Sequence, residues 1–301
     1  MVRTVVAGLD GSRESRAAAE WAAREAHLRG LPLTVVTVQE PVPHPLARAP
    51  LLGGETQAQW SARVQAEAVE GLRLRHPGVD VGLMRLSGRP ADRLVGAAAA
   101  AELLVVGSRG LSGAGGFLLG SVGQAVIART DVPVVVVRAG EQAADEHESD
   151  PAGIPSAATA YRPVVVGVDT EQPADDVIAF AFEEAERRRT AVRAVHSWYL
   201  PAYYLYGLSF DASLHNEIVR EKAAELAEVL RPWRQKYPSV QVSEESRAGS
   251  AADRLVGAAC DASLVVVGRR VRRSPVGLHI GPVTHAVLHH APVPVAVVAH
   301  E

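Results

Sequence analysis

Residues 105–126, "VVGSRGLSGAGGFLLGSVGQAV", spend seven of twenty-two positions on glycine, between an apolar strand pattern and an amphipathic run. Glycine permits positive φ and lets a ligand approach the backbone closely. Successive N–H groups in such turns form an anion-binding concavity. A following helix start adds unpaired N–H donors and the positive end of the helix dipole. Gly107, Ser108, Arg109 and Gly110 lie at the strand exit, and Gly120, Ser121 and Val122 at the helix start. This is chemistry for a di- or triphosphate. Ser121 and Gln124 also fit a plain capping box, which accounts for Gly120 onward but not for the whole loop. No Gly-Lys-Ser/Thr follows, so this is not a Walker loop, and no compact G-x-G-x-x-G follows the first strand.

Asp10 closes the first strand pattern in "GLDGS". A carboxylate there would bond ribose hydroxyls or reach phosphate through Mg²⁺. It would equally well bond the turn into the first helix near Ser12.

The elements that must position these residues are written twice. "GRPADRLVGAA" (88–98) and "GSAADRLVGAA" (249–259) agree at nine of eleven positions, at an offset of 161. "VVAGLD" (5–10) pairs with "VVVGVD" (164–169), and "ELLVVGSR" (102–109) with "SLVVVGRR" (263–270). Within each copy, short β-branched runs alternate with helical patterns. Five strands and four helices per copy predict a parallel sheet covered on both faces. The boundaries read as domain 1 over 1–139, a linker over 140–161 rich in acid, Ala, Ser, Pro and Gly, and domain 2 over 162–301.

These features together resemble the universal stress protein family. Its ATP-binding members carry Gly-x2-Gly-x9-Gly-Ser/Thr, which stands here as Gly107, Gly110, Gly120 and Ser121. "GLDGS" and the closing "VPVVVV" look like the family's as well, and the likeness covers both copies. The resemblance implies two tandem Rossmann-like domains of the adenine nucleotide alpha hydrolase type, each a five-stranded parallel sheet of order 3-2-1-4-5. It implies ATP, with or without Mg²⁺, between strands 1 and 4. Asp10 would meet the nucleoside end and the backbone of Val38 the adenine. It further implies a nucleotide-responsive regulator of stress or dormancy, with the two domains paired through their last strands and the chain forming a dimer. A protein-interaction scaffold that binds no nucleotide and a weak ATPase are the other classes. No nucleophile–base pair stands in an activating arrangement, so no catalytic residue is assigned.

The second copy departs from the pattern. Asp169, Gly268 and Gly281 persist, but Val271 stands where the second glycine would be, Pro282 replaces the serine and Ser197 matches Val38. Val resists positive φ, and Pro removes an N–H and a hydroxyl. Arg269, Arg270, Arg272 and Arg273 fill the loop instead. They would bind an anion, pair with the acidic Glu141–Asp150 stretch, or form a solvated basic loop. The ATP site is therefore expected mainly in domain 1, with Asp169, Gly268, Arg269 and Gly281 as the weaker second set.

His285 and His289, four apart, are spaced to share a helix face, but no matching carboxylate or cysteine adjoins them, and no metal site is assigned. Tyr199, Tyr203, Tyr204 and Tyr206 crowd one loop, as an interface or as cover for their own domain. The net charge of −3 gives no overall field for nucleic acid or acidic membrane. A single cysteine, Cys260, excludes an intrachain disulfide and fits a reducing compartment. With no leader pattern and no apolar run of about 20 residues, the expectation is a cytoplasmic protein.

Overall fold

The computed structural model describes residues 3–40, 57–108, 119–199, 212–271 and 280–301. Of the residues singled out in the sequence, Arg109, Gly110, Arg272, Arg273, Tyr203, Tyr204 and Tyr206 lie outside them. The chain divides into two compact units, Met1–Gln142 and Ala143–Glu301.

In the first unit, β1 (Val5–Gly8), β2 (Leu33–Gln39), β3 (Val81–Ser87), β4 (Leu103–Gly107) and β5 (Val134–Val137) form a parallel sheet. Its order is β3-β2-β1-β4-β5. The central strands are Val- and Leu-rich and fully buried, as a sheet covered on both faces requires. Helices α1 (Arg13–Arg29) and α2 (Gln57–Arg75) pack together, and α3 (Pro90–Ala98) packs with α4 (Ser121–Arg129). α1 starts because the Ser12 hydroxyl accepts from the Ser15 N–H. It stops at Gly30, whose φ of 63° is the left-handed conformation that a helix terminus favours.

The second unit repeats the plan. β6 (Val164–Gly167), β7 (Val192–Trp198), β8 (Val242–Ala248), β9 (Leu264–Arg270) and β10 (Val295–His300) lie in the order β8-β7-β6-β9-β10. Its helices are α5 (Asp175–Arg188), α6 (Ala212–Lys236), α7 (Ala251–Ala259) and α8 (Pro282–His290).

The two units differ at one edge of the site. β4 ends at Gly107, paired with Val137, and the chain then turns through Gly140 at φ 82°. β9 runs on to Arg270, paired with His300.

The segment expected as a solvated linker belongs in large part to the second unit. Glu146 and His147 are buried, and the His147 ring lies 3.9 Å from that of Tyr161. Asp150 closes a turn by accepting from the Ala152 and Ile154 N–H groups at 2.9 and 2.8 Å. Composition alone hides this order, because it rests on antiparallel pairing across the segment, with the Glu148 N–H donating to the Ala160 carbonyl and the Arg162 N–H to the Glu146 carbonyl, both at 2.9 Å, together with the Asx-type turn.

Candidate functional site

Of the described sequence-derived residues, Asp10, Val38, Gly107 and Ser108 lie at the carboxyl ends of β1, β2 and β4, where ligands bind in open α/β sheets. At the end of β1, the Asp10 Oδ1 accepts from the Ser12 N–H at 2.9 Å and from its hydroxyl at 2.6 Å. Burial would raise the Asp10 carboxyl, but the hydrogen bonds from Ser12 and Ser15 outweigh it and hold it below its ordinary value. Asp10 thus shapes the entry to α1 while its side chain remains exposed.

Gly107 has a packing role of its own. A Cβ there would lie 2.5 Å from the Glu14 carbonyl carbon and 2.7 Å from the Ser15 nitrogen. The end of β4 therefore rests directly on the first turn of α1, beside Asp10, whose N–H donates to the Ser15 hydroxyl at 3.3 Å. Ser108 follows, its N–H bonded to the Val137 carbonyl at 2.8 Å. Its side chain is buried, and among the described residues its hydroxyl has no hydrogen-bond partner.

Val38 offers backbone rather than side chain. The Leu9 N–H donates to the Val36 carbonyl, so Val36 turns its polar groups toward β1. Alternation along a strand turns those of Val38 the same way. The β1 register ends at Gly8 opposite Val36, so no β1 residue is left to pair with Val38.

α4 begins without a side-chain cap. Gly120 is the N-cap, Ser121 is the first helical residue, and the Gln124 amide donates to the Leu119 carbonyl at 3.3 Å. The capping box that Ser121 and Gln124 would have made is not formed. The first-turn N–H groups of α4 consequently have no side-chain acceptor, unlike those of α1 and α7, which Ser12 and Ser250 cap. An acceptor for such groups is what an anion supplies.

In the second unit the equivalent place is an open cavity of about 930 Å³, reached by Asp169, Gly268, Arg270 and Gly281. Asp169 keeps its turn role, accepting from the Glu171 and Gln172 N–H groups at 3.0 and 3.2 Å. α8, like α4, starts at a glycine N-cap without a side-chain cap, but the residues around it differ. Val271, in the place of Gly110, donates its N–H to the His300 carbonyl at 2.7 Å. The Thr284 hydroxyl, on the first turn of α8, is bonded to the Gly268 carbonyl at 2.7 Å. Of the basic residues, Arg269 is buried within β9, and Arg270, exposed at its end, bonds Gln172.

A family model for the universal stress protein family matches residues 1–138 and 160–299. The chain belongs to the universal stress protein family. A universal stress protein of Mycobacterium tuberculosis strain H37Rv is 36% identical over 309 residues, covering 97% of this chain and 96% of its own. Another, from Mycolicibacterium smegmatis, is 32% identical over 98% of this chain and 96% of its own. The crystal structure of a universal stress protein from Archaeoglobus fulgidus superposes with a TM-score of 0.64 at 16% identity, covering 99% of this chain and 98% of that one. That likeness speaks to the fold.

Sequence reasoning missed a polar cluster whose Thr170, His196 and Lys222 line the second cavity. Thr170, His196, Lys222 and Glu225 stand where the first copy has Gly11, Thr37, Ser61 and Val64. The Thr170 hydroxyl donates to Glu225 at 3.1 Å, Lys222 bonds both Glu225 oxygens at 2.9 Å, and the His196 Nδ1 lies 3.0 Å from the Val168 carbonyl. A column-by-column comparison of the two copies carries that signal. His285 and His289 do meet, their rings stacked at 4.2 Å, but no group of three or more metal-ligating side chains occurs among the described residues. No helix among them is long and apolar enough to cross a membrane.

Proposed function

We propose that the first domain binds ATP and that its occupancy makes this universal stress protein a nucleotide-responsive regulator. One observation carries the reading: the uncapped start of α4, on the same sheet edge as the buried, unpartnered Ser108 hydroxyl, where β5 has already stopped at Val137. Donors of that kind fit phosphate oxygens. Gly107, Ser108, Arg109 and Gly110 would hold the phosphates together with Gly120, Ser121 and Val122. The Val38 backbone would read the adenine edge, and Asp10 would take ribose hydroxyls or a Mg²⁺ ion. Bound ATP brings negative charge to the helix start, and everything else in the site is positioning by this chain. We extend the reading to a cytoplasmic chain that self-associates as a dimer and signals through a protein partner.

The test is acid extraction of the purified protein with mass spectrometry of the released small molecules, followed by calorimetric titration with ATP. Adenine nucleotide in the extract, and ATP affinity weakened at least tenfold in Gly120→Val, would support the reading. An extract without nucleotide and a titration without heat would favour a scaffold instead.

A further inference from the structure

We propose that His285 and His289 on α8 form a surface site for a divalent transition-metal ion, Cu²⁺ in preference to Zn²⁺. The inference is independent of the proposed function, because neither histidine belongs to the nucleotide set.

Residues four apart stand one above the other on a helix face. Here the two imidazoles have come together, with their centroids 4.2 Å apart and their planes 27° from parallel. An imidazole nitrogen lies about 2.0–2.1 Å from a bound metal, which sets two of them roughly 3 Å apart when they share one ion. Rings at the observed separation reach that geometry by small rotations of their own side chains, with no movement of the helix. His285 is exposed and His289 half-buried, so an ion arrives from solvent and water fills the rest of its shell. Two protein ligands make an open, exchangeable site, as distinct from a closed structural one of four.

The surroundings choose the ion. α8 runs from Pro282 to His290, and His289 stands in its last turn, where the negative end of the helix dipole favours a cation. Among the described residues no third histidine, thiolate or carboxylate joins the pair. A donor set of two imidazoles does not suit Ca²⁺ or Mg²⁺, which take oxygen ligands. It suits Cu²⁺ and Zn²⁺, of which Cu²⁺ binds the tighter.

The duplication supplies a control. At the matching positions of α4, with the same exposure, stand Gln124 and Ala128, so the first copy carries no such pair. His290 adjoins the pair in sequence, but its ring lies 6.4 Å from that of His289 and is tilted by 50°. Consecutive residues do not share a helix face, so His290 stands outside the site.

The test uses the full chain, freed of metal with a chelator and dialysed, then titrated with Cu²⁺ under electron paramagnetic resonance and with Zn²⁺ in a calorimeter. The expected result is a Cu²⁺ site of one equivalent whose spectrum shows coupling to two imidazole nitrogens, with weaker uptake of Zn²⁺ at the same place. Affinity for both ions should fall at least tenfold in His285→Gln and in His289→Ala, which install the residues that α4 carries and so keep the helix. His290→Ala should leave it unchanged. A wild-type chain with no Cu²⁺ site of two imidazoles would overturn the proposal, as would an affinity that survives both substitutions. So would a loss that follows His290→Ala instead.

Discussion

Val271 donates its backbone N–H to the carbonyl of His300 at 2.7 Å, closing with a ladder bond the spot where the first copy carries Gly110. In the first copy β5 ends at Val137 and the chain turns at Gly140. Restoring the glycine and serine in the second copy should therefore not restore a phosphate site. On the proposed function, the double variant Val271→Gly, Pro282→Ser is expected to bind one equivalent of ATP per chain, the number expected of the wild type. Calorimetric stoichiometry checks this, and a value of two would show that side chains rather than strand pairing closed the site.

Gly107 and Gly268 occupy matching positions but answer to different neighbours. A Cβ on Gly107 meets the backbone of Glu14 and Ser15, which cannot move without shifting α1. Gly107→Ala is expected to cost about 1–3 kcal/mol, the usual toll of overpacking. A Cβ on Gly268 meets chiefly the far end of the His300 ring, at 2.8 Å, which can swing away. Gly268→Ala should cost less than Gly107→Ala, and urea denaturation of the two variants compares them directly.

The contrast also shows what could be read without coordinates. Strand and helix positions were legible because β-branched runs such as "VVAGL" and alanine-rich runs such as "RAAAEWAA" differ in period, and because the duplication repeats each element. The same pattern placed Asp10 and Gly107 at strand ends, whereas Val38 was expected from the family resemblance. The extension of β9 to Arg270 was not legible, since "VVVGRR" breaks its apolar run at Gly268 and the pairing depends on His300, some thirty residues on. Nor was the Thr170–Glu225 bond, which spans three elements and leaves no local pattern. The packing role of Gly107 was hidden too, since a glycine required by a helix 92 residues upstream looks like any glycine in a loop.

Asp10 and Ser12 make stability near the site depend on pH in one direction. The Asp10 carboxyl titrates below its ordinary value in the folded protein, so its contribution is present at neutral pH. It is lost as pH falls through the folded value, below about pH 4. Asp10→Ala should be less stable than wild type at pH 7, and the gap should close in that acid window. Ser12→Ala, which removes the α1 cap, is expected to cost about 0.5–2 kcal/mol. Melting curves of the three proteins between pH 3 and pH 7 would measure both effects, and a gap that widens in acid would refute the sign.

Each first helix also buries an ion pair at matching positions, Glu25 with Arg29 at 2.6 Å and Glu184 with Arg188. Glu184 is fully buried and is held from its other oxygen by Arg187 at 2.6 Å. Removing Arg188 leaves this carboxylate, in a place that water does not reach, to Arg187 alone with its second oxygen uncompensated. Arg188→Met is expected to cost about 3–5 kcal/mol, whereas Arg188→Met with Glu184→Leu should be close to neutral. The two outcomes separate the cost of a half-paired buried carboxylate from the worth of the pair, since volume changes little in either variant. If the double variant proves as unstable as the single one by urea denaturation, the pair itself, rather than its neutralisation, holds α5 on its sheet.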